Sequence, residues 1–150
     1  MSRRAGVLAG GLLALTAATA RAEPPAPALS LLAAAIPSTD LARSTAFYTD
    51  GLGMRAAGRV GPAAAEAPLL FPGGGAILML VKRPVDDSAP PASGKRVVLS
   101  VPDLAALAAH LSAIGHPLKA PPHANPALHV IVGMLEDPDG NVLELVQRTP

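Results

Sequence analysis

An internal repeat constrains this chain more than any other feature. Ile36-Pro37 is echoed by Val101-Pro102, and Asp40-Leu41-Ala42 by Asp103-Leu104-Ala105. Gly75 with Ile77-Leu78-Met79-Leu80-Val81 is echoed by Gly140 with Val142-Leu143-Glu144-Leu145-Val146. The offsets of 63 and 65 residues agree within the slack of a loop. A strand-helix-strand-strand-strand unit about this long cannot bury both faces of its sheet alone, so two copies must share a core. The expected fold is α+β: two βαβββ modules pair into a curled mixed sheet around a cleft, with the helices on the outer face.

Within module one (29–83), Leu29 to Ile36 reads as a buried strand bounded by Pro37 and Ser38. Asp40 caps a helix from Leu41 to about Leu52, with Leu41, Tyr48 and Leu52 on one face and Gly53 as its stop. Met54 to Val60 predicts a short strand, and Gly61 to Pro68 a loop. Leu69 to Phe71 and Ala76 to Lys82 then form a hairpin around Pro72-Gly73-Gly74-Gly75. Residues 84–94 have a linker's composition. In module two (95–150), Arg96 to Val101 predicts a strand, Asp103 a cap, and Leu104 to Ile114 a helix stopped by Gly115. A Pro-rich stretch to Pro126 follows. The chain closes on a hairpin of Val130-Ile131-Val132 and Val142 to Val146, turned by Asp137-Pro138-Asp139-Gly140-Asn141.

The first 22 residues stand apart from this plan. Arg3 and Arg4 precede the apolar run Ala5 to Ala20, and Ala20-Arg21-Ala22 offers small residues at the −3 and −1 positions of a cleavage site. The run is shorter than the about 18 residues of a membrane span, and the segment predicts a signal peptide. Arg3-Arg4 and Arg21 suit a twin-arginine signal, although Gly6 stands where that signal usually has an aromatic; an ordinary secretory signal fits as well. The expected product is exported, periplasmic or secreted, with a Pro-rich leader at 23–28 and, lacking any Cys, no cysteine-linked lipid anchor. Removing Arg3, Arg4 and Arg21 from the twelve basic residues leaves nine against eleven acidic ones. That balance points to neither nucleic acid nor an anionic membrane as partner.

Asp40 to Gly53 and Asp137 to Leu145, in this order within paired modules, resemble the vicinal oxygen chelate superfamily, which includes glyoxalase I, bleomycin-resistance proteins and extradiol dioxygenases. The resemblance covers nearly all of the chain after the export segment. It implies a cleft that binds a small molecule. In metal-dependent members a divalent metal, held by the first and last strands of each module, grips neighbouring oxygens of the substrate. Carried over by position, most of those ligands are missing. The first-strand position falls at Leu31 or Ala33, Met79 stands where a Glu is expected, and Arg96 stands where a His is expected. Glu144 alone is retained. No cofactor is therefore expected; a divalent metal would have Glu144 as its only family-type ligand.

A carboxylate among Val and Leu needs a partner. Arg96, Val98 and Ser100 share one strand face, as do Val142, Glu144 and Val146. If both faces line the cleft, the Arg96 guanidinium can replace the metal as counter-charge for Glu144; otherwise Arg96 is a strand-start residue with its head in water. The expected lining is Ala33, Ala35, Ile77, Met79, Val81, Val98 and Val146, with Arg96, Ser100 and Glu144 as polar exceptions. Few aromatics argue against stacking a large flat drug; a modest ligand, with a carboxylate for Arg96, fits better. His129 opens the strand before the turn and is either a cleft acid, base or stray ligand, or a structural His. His110, His116 and His123 read as surface residues. At least one of Phe47 and Tyr48 packs in the core.

Two functions follow. One is a binding or sequestering protein; the other is a lyase, isomerase or oxygenase with a rearranged or metal-free site using Glu144 and His129. Linker 84–94 also permits a homodimer through module exchange.

Overall fold

The computed structural model describes residues 30–84 and 96–150. The expected signal peptide, the Pro-rich leader and all but the first residue of the linker lie outside them.

Module one runs β1 (Ala33–Ser38), α1 (Leu41–Ala46) continued by a π-helical turn (Phe47–Gly51), β2 (Arg55–Ala56), β3 (Glu66–Leu70) and β4 (Ile77–Lys82). Module two repeats it with β5 (Arg96–Ser100), α2 (Leu104–Ala113), β6 (His123–Asn125), β7 (Val130–Glu136) and β8 (Val142–Arg148). The sheet orders are β1-β4-β3-β2 and β5-β8-β7-β6, so the repeat is topological as well as sequential. In each module the first strand lies parallel to the last, and the remaining pairs are antiparallel. The two βαβββ modules of the α+β fold are therefore present, each as a four-stranded mixed sheet.

Both helices start where a carboxylate meets their free amide groups. Asp40 Oδ1 accepts from the amides of Ala42 and Arg43, and Asp103 Oδ1 accepts from that of Ala106. The inward faces of the two sheets and the helices form one core, in which Tyr48, Leu69, Leu78, Leu80, Leu104, Leu111, Leu135, Leu143 and Leu145 are fully buried. Helix α2 sits close on β7 because position 133 is Gly: a Cβ there would lie 3.0 Å from Leu118 and 3.3 Å from Leu104. The alternate residues of β1, β4, β5 and β8 face away from the helices.

Several boundaries differ from the sequence reading. β1 begins at Ala33 rather than Leu29. Its pairing with β4 starts at Ala33↔Ile77, leaving Leu31 and Leu32 70% and 76% exposed. The strand expected over Met54 to Val60 shrinks to two residues, Arg55 and Ala56, paired with Leu70 and Leu69. Next along, Pro68 has no N–H to return to Ala57, and contact resumes only as a single bridge between Val60 and Glu66. β3 begins at Glu66, inside the expected loop. Pro68 fits there because its carbonyl, and therefore its N–H-less side, points away from β4 toward Ala57. The Pro-rich stretch before Pro126 contains β6, a three-residue edge strand on β7. His129 stands before β7 rather than opening it, in a left-handed conformation (φ 52°) that ends a short 3₁₀ turn.

Candidate inter-module cleft

Strand alternation puts Ala33 and Ala35 of β1, Ile77, Met79 and Val81 of β4, Arg96, Val98 and Ser100 of β5, and Glu144 and Val146 of β8 on one sheet face. Their neighbours in sequence, among them Ile36, Leu78, Leu80, Leu143 and Leu145, are buried on the other. The registers pair Ala35 with Met79, Arg96 with Val142, Val98 with Glu144 and Ser100 with Val146. Val98 is 56% exposed, so this face is open. Beside it, between β1 and the start of β5, lies a cavity of about 270 Å³ lined by residues of both faces, among them Ala35 and Ile36, Arg96 and Val97, but not by Glu144 or Val98. All three aromatic residues of the chain lie elsewhere. Phe47 and Tyr48 are in the core, and Phe71, just after β3, packs against it.

Arg96 and Glu144 meet on this face, with Nε 3.0 Å from Oε2. The N–H is not aimed at the oxygen, and Oε2 has no hydrogen-bond partner among the described residues, so the contact is an ion pair held by charge. The Glu144 side chain is 16% exposed and that of Arg96 61%: a nearly buried carboxylate lies under a guanidinium whose outer side faces water.

This donor set does not fit a catalytic metal. The face carries one carboxylate with a fixed cation against it, and Ala33, Met79 and Val98 supply no hard ligand. No group of three His, Asp or Glu side chains that could hold a metal occurs among the described residues. His129 is exposed, and along β7 it stands five residues from Met134, the partner of Glu144. At the rise of an extended strand that is about 17 Å, so the structure does not bring the two together. His110 is exposed with its Nε2 2.8 Å from the Asp50 carbonyl, His116 packs edge-on against Phe47, and His123 is exposed on β6.

The seam is held at one end by a polar latch that the sequence reading missed. The Asp137–Asn141 turn is built locally: the Gly140 amide donates to the Asp137 carbonyl, the Asp139 and Asn141 amides donate to Asp137 Oδ1, and Gly140 takes φ 79°. Its remaining polar atoms reach into module one. Tyr48 Oη donates to Asp137 Oδ2 at 2.9 Å, and Asn141 Nδ2 donates to the Pro37 carbonyl at 2.9 Å. Asp139 accepts from the Thr39 amide at 2.9 Å, from the Thr39 hydroxyl, from Ser44 Oγ at 2.6 Å and from Arg43 Nη2 at 3.1 Å. Burial alone would raise the Asp139 carboxyl, but the hydrogen bonds from Ser44, Thr39 and Ser38 outweigh it and hold the group down at about 2. Burial, followed by the neighbouring Asp137 charge, pushes the Tyr48 hydroxyl well above its ordinary range, so it stays a neutral donor. The one available signal was polarity on a buried helix stripe: Ser44 and Tyr48 fall three and seven residues after Leu41.

A sequence model of the glyoxalase/bleomycin resistance protein/dioxygenase superfamily matches residues 30–145. No curated protein matches the chain. Among solved structures, TnmS3, an antibiotic binding protein from Streptomyces sp. CB03234, is 24% identical with a TM-score of 0.67, covering 84% of this chain and 100% of that one. A superfamily member from Sphaerobacter thermophilus DSM 20745 is 22% identical with a TM-score of 0.67, covering 81% and 98%. TioX from Micromonospora sp. ML1 is 22% identical with a TM-score of 0.62, covering 79% and 98%. At these identities the likeness establishes the fold.

Proposed function

The chain belongs to the glyoxalase/bleomycin resistance protein/dioxygenase superfamily, and from that membership we propose that it binds a small organic molecule in the inter-module cleft without a metal. The observation that carries this reading is the Arg96–Glu144 ion pair, 3.0 Å apart, on the face where metal-dependent relatives converge their ligands. Arg96 supplies the positive charge that a metal would have supplied, and its exposed side remains free to meet a ligand's acidic group. Apart from Ser100, the rest of the face is apolar. The preferred ligand is therefore a modest, largely aliphatic molecule with a carboxylate or similar anionic end. TnmS3, which shares the fold, is an antibiotic binding protein, and binding or sequestration is the role proposed here as well. Export by way of the first 22 residues belongs to the same proposal, supported by Arg3-Arg4, the apolar run and the Ala20-Arg21-Ala22 site.

The test is native mass spectrometry of the purified protein, followed by titration of the identified ligand into wild type and Arg96→Ala. A co-purifying acid whose affinity falls at least about tenfold in the variant is expected, the loss of one charge-assisted contact. Equal affinity for both proteins would contradict the assignment of Arg96.

A further inference from the structure

The two-fold character of the repeat gives the polar latch a counterpart at the other end of the seam, and there the chemistry is inverted. By the repeat offsets, Gly74 stands for Asp139, Pro72 for Asp137, Leu107 for Ser44, Ala106 for Arg43 and Pro102 for Thr39. Every latch residue has been exchanged for an apolar one or for glycine, so this end is not drawn shut. It is a groove of about 660 Å³ between the Phe71-Pro72-Gly73 turn, Met54, and the first turn of α2. That volume lies in the range of small-molecule sites, and the walls are mainly aliphatic. The only charged group lining it is Asp103, and it has no basic side chain. Asp103 lines the groove, and its Oδ1 caps the helix by accepting from the Ala106 amide at 2.9 Å.

We propose that this groove is a second ligand site, separate from the cleft, for an apolar molecule carrying a protonated amine. The apolar body packs against Met54, Phe71 and Leu107, and the ammonium lies beside Asp103. The cleft has the opposite preference, because the exposed charge there is the Arg96 guanidinium. The two sites are therefore distinguishable by the sign of a probe's charge, and the groove does not depend on the reading of the cleft.

The experiment is an amide chemical-shift titration of the full mature chain with n-hexylammonium, hexanoate and n-hexanol. Hexylammonium is expected to shift the amides of Gly73, Ala106 and Leu107 saturably, and hexanoate to bind there at least about fivefold more weakly. Asp103→Asn keeps a good helix cap and removes the charge. In that variant hexylammonium should weaken about fivefold while hexanol is unchanged. Ala106→Trp fills the groove and should abolish all three responses. The proposal is overturned if hexylammonium leaves these amides unmoved, if hexanoate binds as well, if Asp103→Asn binds the amine like wild type, or if Ala106→Trp still binds it.

Discussion

Replacing Asp139 by Ala tests the latch directly. The Asp139 side chain is 1% exposed and accepts from Thr39, Ser44 and Arg43 across the module boundary. Arg43 is half in water, so its share is small. The Thr39 and Ser44 bonds are charge-assisted, and truncation leaves the Thr39 amide without its acceptor and the fully buried Ser44 hydroxyl with only Ser38 Oγ, 2.9 Å away, as partner. Hydrogen bonds to a charged group contribute about 1.5–3 kcal/mol each and do not add fully, so a loss of about 3 kcal/mol at pH 7 is expected. The acid limb gives an independent figure. A carboxyl held near 2 against an ordinary 3.8 contributes about 2 kcal/mol. Because the folded-state value is the lower one, that contribution is present above about pH 4 and disappears as pH falls through about 2. Urea unfolding of wild type and Asp139→Ala, followed by circular dichroism from pH 7 to pH 2, reads both quantities. The gap between the two proteins should narrow by about 2 kcal/mol toward acid. A loss under about 1 kcal/mol at neutral pH, or parallel pH profiles, would show that the turn does not fasten the modules.

Three further outcomes follow from the same geometry. Tyr48→Phe removes a buried donor from Asp137 and should cost about 1–2 kcal/mol in thermal or urea unfolding; no change would mean the Tyr48–Asp137 bond contributes nothing net. Arg96→Ala leaves the nearly buried Glu144 carboxylate without its counter-charge and should lower stability by about 1–3 kcal/mol in urea unfolding; no loss would mean that the pair contributes nothing net. Expression in a two-membrane bacterium should yield a periplasmic protein whose N-terminal sequence begins at Glu23; an uncleaved cytoplasmic product would remove export from the account.

The module plan was legible because the repeat carries its punctuation in single residues. Asp40 and Asp103 mark the helix starts, and Gly115 and Gly140 take the positive φ that ends a helix and a turn. The Arg96–Glu144 contact was legible for a related reason. Once β5 and β8 are neighbours, period-two alternation leaves few ways for the two side chains to avoid each other. The strand limits were less legible because pairing decides them. Leu31 and Leu32 are as apolar as the strand they precede, yet only the Leu32 carbonyl still meets β4, through the Ile77 amide, and Pro68 reads as a breaker unless its N–H-less side is known to face Ala57 rather than β4. The latch stayed hidden for a different reason. Asp137, Asp139 and Asn141 are already explained by the turn they make, so nothing local announces partners about a hundred residues away. His129 was misplaced by one residue, enough to move it from a strand to a left-handed turn.

The central claim is that an internal ion pair stands where relatives hold a metal, and elemental analysis of the purified mature protein tests it most directly. Protein prepared without chelator should contain no stoichiometric zinc, nickel, iron or manganese, and incubation with each followed by desalting should leave none bound. One tightly bound equivalent of any of them would contradict the account and return Glu144 to the role of metal ligand.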